Sequence, residues 1–287
     1  MKHIVGFSGG IDSQACARWV LNRYPPEDVI LLNSDAGGNE HPLTTEFVAW
    51  YSAAVHPVIS TPAIVADIWE TEGFAETKGL DGNAILDFGM LLKLKGRPVA
   101  PMARYCTTVL KLKPQRRWVQ EQFGPTGQYA GEEYERYTGV RRDESEARAN
   151  TPDREWDSFY DCWINHPLAA WTKPQCFDYV RSHGERFNGL YLLGFSRVGC
   201  APCALCSKDD IATWAIRAPE MIDKVRKWEE QAGVTYFPPV RVGNKGQRQK
   251  LVDDVVDWAK TSRGGRQHVF EILHERPACE SKYGLCE

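Results

Sequence analysis

The chain has 287 residues, of which 43% are hydrophobic and 25% charged, and its formal net charge is −3. That length suits one large domain, or a domain with an elaboration. The balance excludes an overall polycation, so nucleic-acid contacts must come from local patches, and no apolar run is long enough to span a bilayer.

In chain order the first half alternates strand and helix. "HIVGF" predicts a strand and 12–23 a helix; "DVILLNSD" predicts a strand and "PLTTEFVAWYSAA" a helix; "HPVIS" predicts a strand and "AIVADIWETEG" a helix. Repeated β–α units imply a parallel sheet covered on both faces. "NAILDFGMLLKLKG" reads as a further helix, stopped by Gly96 and Pro98, and "YERYTGV" as a strand. "KPQCFDYVRSHG" has the early proline and terminal glycine of a helix. Residues 200–206 read as loop, 208–232 and 250–260 as long helices, and "GNKGQRQ" as an exposed basic loop. The expected fold is α/β: a Rossmann-like, doubly wound parallel sheet with a mostly helical C-terminal elaboration. The expected division is 1–165 for a nucleotide-binding core and 166–287 for a cysteine loop and helical region packed on it. The first strand begins almost at Met1, leaving no room for a signal peptide. A cytoplasmic protein with no membrane partner is expected. Nine cysteines in such a chain favour metal or redox chemistry over a disulfide scaffold.

"GFSGGIDSQ" lies between the first strand and the first helix. Paired glycines there let backbone N–H groups point at an anion, and the helix start adds partial positive charge. Ser8 and Ser13 supply hydroxyls, and Asp12 is a natural helix N-cap. Neither G-x-x-x-x-G-K-[ST] nor G-x-G-x-x-G occurs here. A tight strand–helix turn with no ligand is the plain structural alternative.

The full string "SGGIDS" resembles the PP-loop, S-G-G-x-D-S, of the N-type ATP pyrophosphatases, a group with the adenine nucleotide alpha hydrolase fold. Further stretches resemble its phosphoadenylylsulfate reductase branch: "NSDAGGNEHPLTTEF", "RYCTTVLKLKP", "GVRRDESEAR" and "NHPLAAWTKPQCFDYV". Together they run from about residue 3 to 206. The resemblance implies that Ser8, Gly9, Gly10, Asp12 and Ser13 hold pyrophosphate or a sulfonucleotide anion. It places Asp35, Gly37, Arg104 and Arg142 at the nucleotide, and Lys111 and Arg141 with Ser8, Asp12 and Ser13 at the reacting phosphates. Cleavage between the α- and β-phosphates of ATP, with Mg2+, is the implied chemistry. Arginine forks suit phosphate and sulfate oxygens. Arg116 and Arg117 read as surface cations or nucleic-acid backbone contacts.

"GCAPCALCSKDD" spaces Cys200, Cys203 and Cys206 as C-x-x-C-x-x-C. Three thiolates are an incomplete tetrahedral set, so a fourth ligand is expected from elsewhere. Iron–sulfur members of the reductase branch carry a Cys-Cys pair in the motif that holds Cys106 here, which makes Cys106 the fourth candidate. Tyr105 replaces one cysteine of that pair, and Cys206 restores the count. The resemblance implies a [4Fe–4S] cluster; Zn2+ on the same thiolates is the alternative. Cys16, Cys162 and Cys176 read as core residues. The tail "ACESKYGLCE" departs from the E-C-G-L-H ending of the reductases, which leaves Cys279 and Cys286 as a redox pair or as plain terminal thiols.

An intact PP-loop, a cysteine group and a poor reductase tail resemble the ATP-pyrophosphatase component of bacterial DNA phosphorothioation systems. That resemblance implies a sulfur transferase: the acceptor, a DNA phosphate, is adenylylated by ATP with pyrophosphate release and then takes sulfur from a cysteine desulfurase partner. The competing readings are an adenylylsulfate or phosphoadenylylsulfate reductase, and a non-catalytic, metal-stapled binding module. Basic runs such as "KLKPQRR" and "RVGNKGQRQK" permit a nucleic-acid acceptor, whether DNA or tRNA. A homo-oligomer is compatible with all three.

Overall fold

The computed structural model describes residues 1–69, 79–238, 240–241, 247–248 and 251–261. Six strands form one sheet in the order β3-β2-β1-β4-β6-β5. They are β1 (Lys2–Gly6), β2 (Val29–Asn33), β3 (Val58–Ser60), β4 (Tyr134–Tyr137), β5 (Arg154–Asp157) and β6 (Cys162–Asn165). All pairings are parallel except β5 with β6. The sequence reading expected the parallel strands through β4. It missed the β5–β6 hairpin, in which Trp156 pairs with Trp163 on an exposed edge.

The chain runs outward from β1 to β2 and β3, then returns to the other side of β1 with β4 and β6. Such a reversal opens a crevice beyond the strands' C-terminal ends, the usual ligand position in open α/β sheets. Successive residues of β1 face opposite sides, as strand geometry requires. Val5 packs with α1 (Ile11–Leu21), α2 (Pro42–Ala54) and α7 (Lys173–Ser182). Ile4 packs with Ile30, Leu32 and Val119 of α6 (Lys113–Phe123). Both faces are therefore covered, which explains why β2 is buried at all five positions. The contact of α7 with α1 joins residues on both sides of position 165 in one core.

A third cluster lies beyond the sheet. There α4 (Phe88–Lys95) packs against α10 (Pro219–Ala232), with α9 (Lys208–Arg217) and α11 (Val252–Ala259) beside them. Phe88 and Trp228 stack at 5.3 Å, and a Cβ on Gly89 would meet the Trp228 ring at 2.3 Å. Each large apolar side chain buried here contributes about 1.5–3 kcal/mol.

Several boundaries differ from the sequence reading. The expected helix 63–73 begins only at Ala66 (α3, Ala66–Trp69), because Ile64 bridges Ile85 in extended conformation; residues 70–73 lie outside the described set. The expected helix 83–96 starts at Phe88, because the Asp87 side chain caps it by accepting from Met90 N at 2.6 Å. Gly96 ends it in the left-handed region at φ +58°. The single helix expected over 208–232 is two helices, broken at Ala218 before Pro219, since proline suits a first turn and not an interior. "GNKGQRQ", expected as a loop, includes a strand: β7 (Val240–Arg241) pairs with β8 (Gln247–Arg248), and residues 242–246 lie outside the described set. Among the described residues no helix is long and apolar enough to cross a membrane.

Candidate active site

The PP-loop follows β1 at the reversal point. Gly9 has φ +74°, and a Cβ there would press on Val48, Thr44 and Phe47 of α2 at 3.2–3.4 Å. Ser13 Oγ folds back to donate to Gly10 O at 2.8 Å and accepts from Ser8 N at 3.1 Å. Tyr191 of α8 (Gly189–Leu192) accepts from Ile11 N at 2.9 Å, and Asn188 Nδ2 donates to Gly9 O at 3.2 Å. Asp12 is not the helix N-cap expected from the sequence: Gly10 holds that position, one residue before Ile11. The Asp12 carboxylate instead accepts from Arg141 Nε at 2.7 Å. The segment after β4 thus closes on α1, and Gly139 permits it. A Cβ on Gly139 would lie 2.3 Å from Asp12 O.

Cations gather around this pair. The Arg148 guanidinium is held below its ordinary range by burial and by its cationic neighbours Arg197, Arg104 and Arg141. Burial also lowers Lys173, which lies near Asp12, Arg141 and Arg197. A concentration of positive charge at a strand–helix turn suits a polyanionic ligand. Arg142 is placed elsewhere: its Nε donates to Thr151 O at 2.8 Å and its Nη2 meets Asp153 at 2.6 Å. That geometry locks a loop and leaves Arg142 outside the cationic group.

The loop after β2 forms the adjoining wall. Gly37 sits at φ +67° against Phe88 N, where a Cβ would lie at 2.8 Å. Asp35 Oδ1 accepts from Gly38 N at 2.9 Å. Asp35 and Glu40 line a cleft of about 380 Å3 with Asn33, Thr45, Ser52 and Ser60. Burial pushes the Glu40 carboxyl up to about 7, with nearby Lys111 opposing and Asp35 adding to the rise.

Lys111 comes from a π-helical turn, Thr108–Leu112, within the run of helix from Tyr105 to Phe123. Pro114 has no N–H to complete an α-helical bond to Leu110, which accounts for the widened turn. Ser34 Oγ donates to Lys111 O at 2.9 Å, and Gln115 Nε2 donates to Ser34 Oγ at 2.8 Å. Lys111 lies beside Cys200, whose proximity holds the ammonium above its ordinary range, with Glu40 and Cys203 contributing. The basic run "KLKPQRR" is therefore no open patch. Lys113 donates to Asp67 O at 2.6 Å, Arg117 Nε meets Asp67 at 3.2 Å, and Arg116 lies over the Phe159 ring. Most of "RVGNKGQRQK" lies outside the described residues.

The structure brings the four candidate thiols into one neighbourhood. Burial, then Cys200 and Cys203, push Cys106 up to about 11. Cys203 feels Cys200, and Cys206 feels Cys203, both beneath a larger effect of burial. Tyr236, fully buried, neighbours all four. Its hydroxyl accepts from Asn39 Nδ2 at 2.7 Å and donates to Pro202 O at 2.7 Å, which straps the loop after β2 to the cysteine loop. All four cysteines are free of disulfides. Thiols with an ammonium beside them fit the donor chemistry of a thiolate-bound iron–sulfur cluster or Zn2+. Among the described residues, no three or more His, Cys, Asp or Glu side chains converge closely enough to hold a metal ion. Tyr105, which the resemblance sets in place of one cysteine of the reductase pair, turns into the core and donates to Arg97 O at 2.7 Å. Cys16, Cys162 and Cys176 are buried, as expected of core residues. Cys279 and Cys286 lie outside the described residues.

Residues 92–206 match the family model of the phosphoadenosine phosphosulfate reductase domain. An uncharacterized 37.8 kDa protein of Escherichia phage 186 is 29% identical over 334 aligned positions, covering 99% of this chain and 96% of that one. The adenosine 5'-phosphosulfate reductase of Allochromatium vinosum is 32% identical over 149 residues, 52% of this chain and 50% of that enzyme. The chain thus spans about half the length of that reductase. Among solved structures, the phosphoadenylyl-sulfate reductase of Candida auris in its phosphate complex aligns with a TM-score of 0.44 and 16% identity, covering 70% of this chain and 81% of that one.

Proposed function

From a chain that is phosphoadenosine-phosphosulfate-reductase-like across its middle, we propose an enzyme that activates an acceptor with ATP and inserts sulfur. One observation carries the reading. Lys111 neighbours both Cys200 of the cysteine group and Glu40 of the nucleotide cleft, so sulfur chemistry and nucleotide would share a wall.

ATP lies with its nucleoside in the cleft and its phosphates on Ser8–Ser13. An acceptor oxygen, proposed to be a non-bridging oxygen of a DNA phosphate, attacks the α-phosphorus, and the bond to the β-phosphate oxygen breaks. The leaving pyrophosphate is countered by Arg141, Arg148 and Arg104, and a bound Mg2+ would add further positive charge there. The acceptor oxygen now leaves with AMP. The terminal sulfur of a persulfide from a cysteine desulfurase takes its place, and a second thiol cleaves the remaining sulfur–sulfur bond to leave a disulfide. Cys106, Cys200, Cys203 and Cys206 would hold a [4Fe–4S] cluster, which would supply redox-active iron; Zn2+ would supply a structural staple instead.

The second reading, a sulfonucleotide reductase, is favoured by the reductases among the relatives. Pyrophosphate release separates the two. The transferase releases pyrophosphate from ATP when acceptor and persulfide donor are present, whereas a reductase releases sulfite from adenylylsulfate without ATP. Sulfite production with no pyrophosphate under any acceptor condition rules the transferase out.

A further inference from the structure

The two nucleotides in the names of the family model and of the A. vinosum enzyme differ by one group: phosphoadenosine phosphosulfate carries a phosphate on the ribose that adenosine phosphosulfate lacks. The cleft bears on that difference. It begins where the PP-loop ends, since Val48, which would touch a Cβ on Gly9 at 3.2 Å, also lines the cleft. A nucleotide with its phosphates on Ser8–Ser13 therefore has room for its nucleoside between the ends of β2 and β3 and the face of α2. The volume, about 380 Å3, lies in the usual range of small-molecule pockets, about 300–1,000 Å3.

The polar lining has one sign. Asp35 and Glu40 are carboxylates, Asn33, Thr45, Ser52 and Ser60 are neutral, and among the described residues no lysine, arginine or histidine lines the cleft. Two cations stand close by without lining the cleft, each beside one of its carboxylates. Lys111 lies beside Cys200 and Glu40, and Lys224, which neighbours Asp35, donates to Gly38 O at 2.8 Å. A phosphate monoester placed here meets like charge in a partly desolvated site, where such juxtaposition is costly and discriminates between ligands. A free ribose hydroxyl meets acceptors to which it can donate.

We propose that Asp35 and Glu40 select nucleotides with an unmodified ribose and reject those carrying a ribose 3'-phosphate. The inference rests on the proposed nucleotide site and narrows its substrate class to ATP or adenylylsulfate, excluding the 3'-phosphorylated sulfonucleotide.

The test is calorimetric titration of the whole chain at pH 8, above the value of about 7 to which burial lifts the Glu40 carboxyl, with ATP, with AMP and with adenosine 3',5'-bisphosphate, which differs from AMP only by the 3'-phosphate. AMP is expected to bind about tenfold or more tightly than the bisphosphate, a gap of about 1.4 kcal/mol. Glu40→Gln is expected to narrow that ratio and Glu40→Lys to narrow it further. Circular dichroism establishes that each variant is folded. Equal or tighter binding of the bisphosphate to the unaltered chain overturns the proposal without using any variant. So does an unchanged ratio in a folded Glu40→Lys protein. If ATP, AMP and the bisphosphate all fail to bind, the nucleotide site itself is wrong and the selection falls with it.

Discussion

Arg141 donates from Nε to Asp12 Oδ1 at 2.7 Å, with the Arg141 side chain 4% exposed and the Asp12 side chain 30% exposed. The pair joins the segment after β4 to the first turn of α1, across the strand reversal where the ligand crevice opens. Its second nitrogen, Nη1, meets Asp143, so the guanidinium is fixed by two carboxylates. Arg141→Ala leaves Asp12 without its charged hydrogen bond, a loss of about 1.5–3 kcal/mol in urea unfolding. Arg141→Lys keeps the charge and loses the fork. Both variants are expected to lower ATP-dependent pyrophosphate release by about tenfold or more. Full activity in Arg141→Lys would show that the fixed guanidinium geometry is not needed.

Gly139 sets how closely that segment approaches α1. An added methyl would lie 2.3 Å from Asp12 O and 2.5 Å from its carbonyl carbon, backbone atoms that cannot swing aside. Gly139→Ala is expected to cost about 1–3 kcal/mol and to lower the urea midpoint at unchanged slope. Gly6 is the control. A Cβ there meets nothing within 4 Å, so Gly6→Ala should stay within about 0.5 kcal/mol of the parent protein. Equal losses at both positions would contradict the close-approach argument.

What the sequence disclosed follows from the range of the interactions involved. The β1–α1–β2–α2 stretch was readable because its apolar runs, glycine pair and Pro42 are local signals, and α2 matches the expected "PLTTEFVAWYSAA" at both ends. Pro219 is an equally local signal, yet the expected helix ran through it; the structure treats it as a helix start. The π-helical turn was not legible, because Pro114 and the lysine-rich run around it left residues 105–123 without an assignment. Tyr191, Asn39 and Tyr236 have no local pattern at all. Tyr191 meets Ile11 across 180 positions and Asn39 meets Tyr236 across 197, so only the fold reveals them. Glu40 carries no local signal that sets it apart, and only the fold places it beside Asp35 and Lys111.

Glu40 also makes stability depend on pH in a defined direction. Burial raises its carboxyl from 4.5 to about 7, with Lys111 opposing and Asp35 reinforcing. Below about pH 4.5 the group is neutral in the folded and unfolded chains alike. Between about 4.5 and 7 the unfolded chain loses the proton that the folded chain keeps, so stability contributed by Glu40 falls as pH rises, and above about 7 the loss is complete. Glu40→Gln removes the titration. Its stability relative to the parent protein, from urea unfolding at steps between pH 5 and 8, should therefore improve steadily up to about pH 7 and then level off. Parallel curves for the two proteins would mean that Glu40 titrates alike in both states.

The cysteines carry the last prediction, because the thiols at 106, 200, 203 and 206 neighbour Tyr236 together while Cys162 lies on β6. If they hold an iron–sulfur cluster, chain purified without oxygen contains iron and acid-labile sulfide in equal amounts, about four of each for [4Fe–4S]. Cys106→Ser and Cys203→Ser should each lose most of both, and Cys162→Ser should retain them. Zinc without sulfide, lost in the same two variants, assigns the thiols to a structural Zn2+ instead. Lys111→Met separates holding the cluster from using it: its iron and sulfide should stay near the parent level, its visible absorption should shift because a cation beside Cys200 is gone, and pyrophosphate release should fall. Iron retained undiminished in both Cys106→Ser and Cys203→Ser would remove these thiols from the metal site.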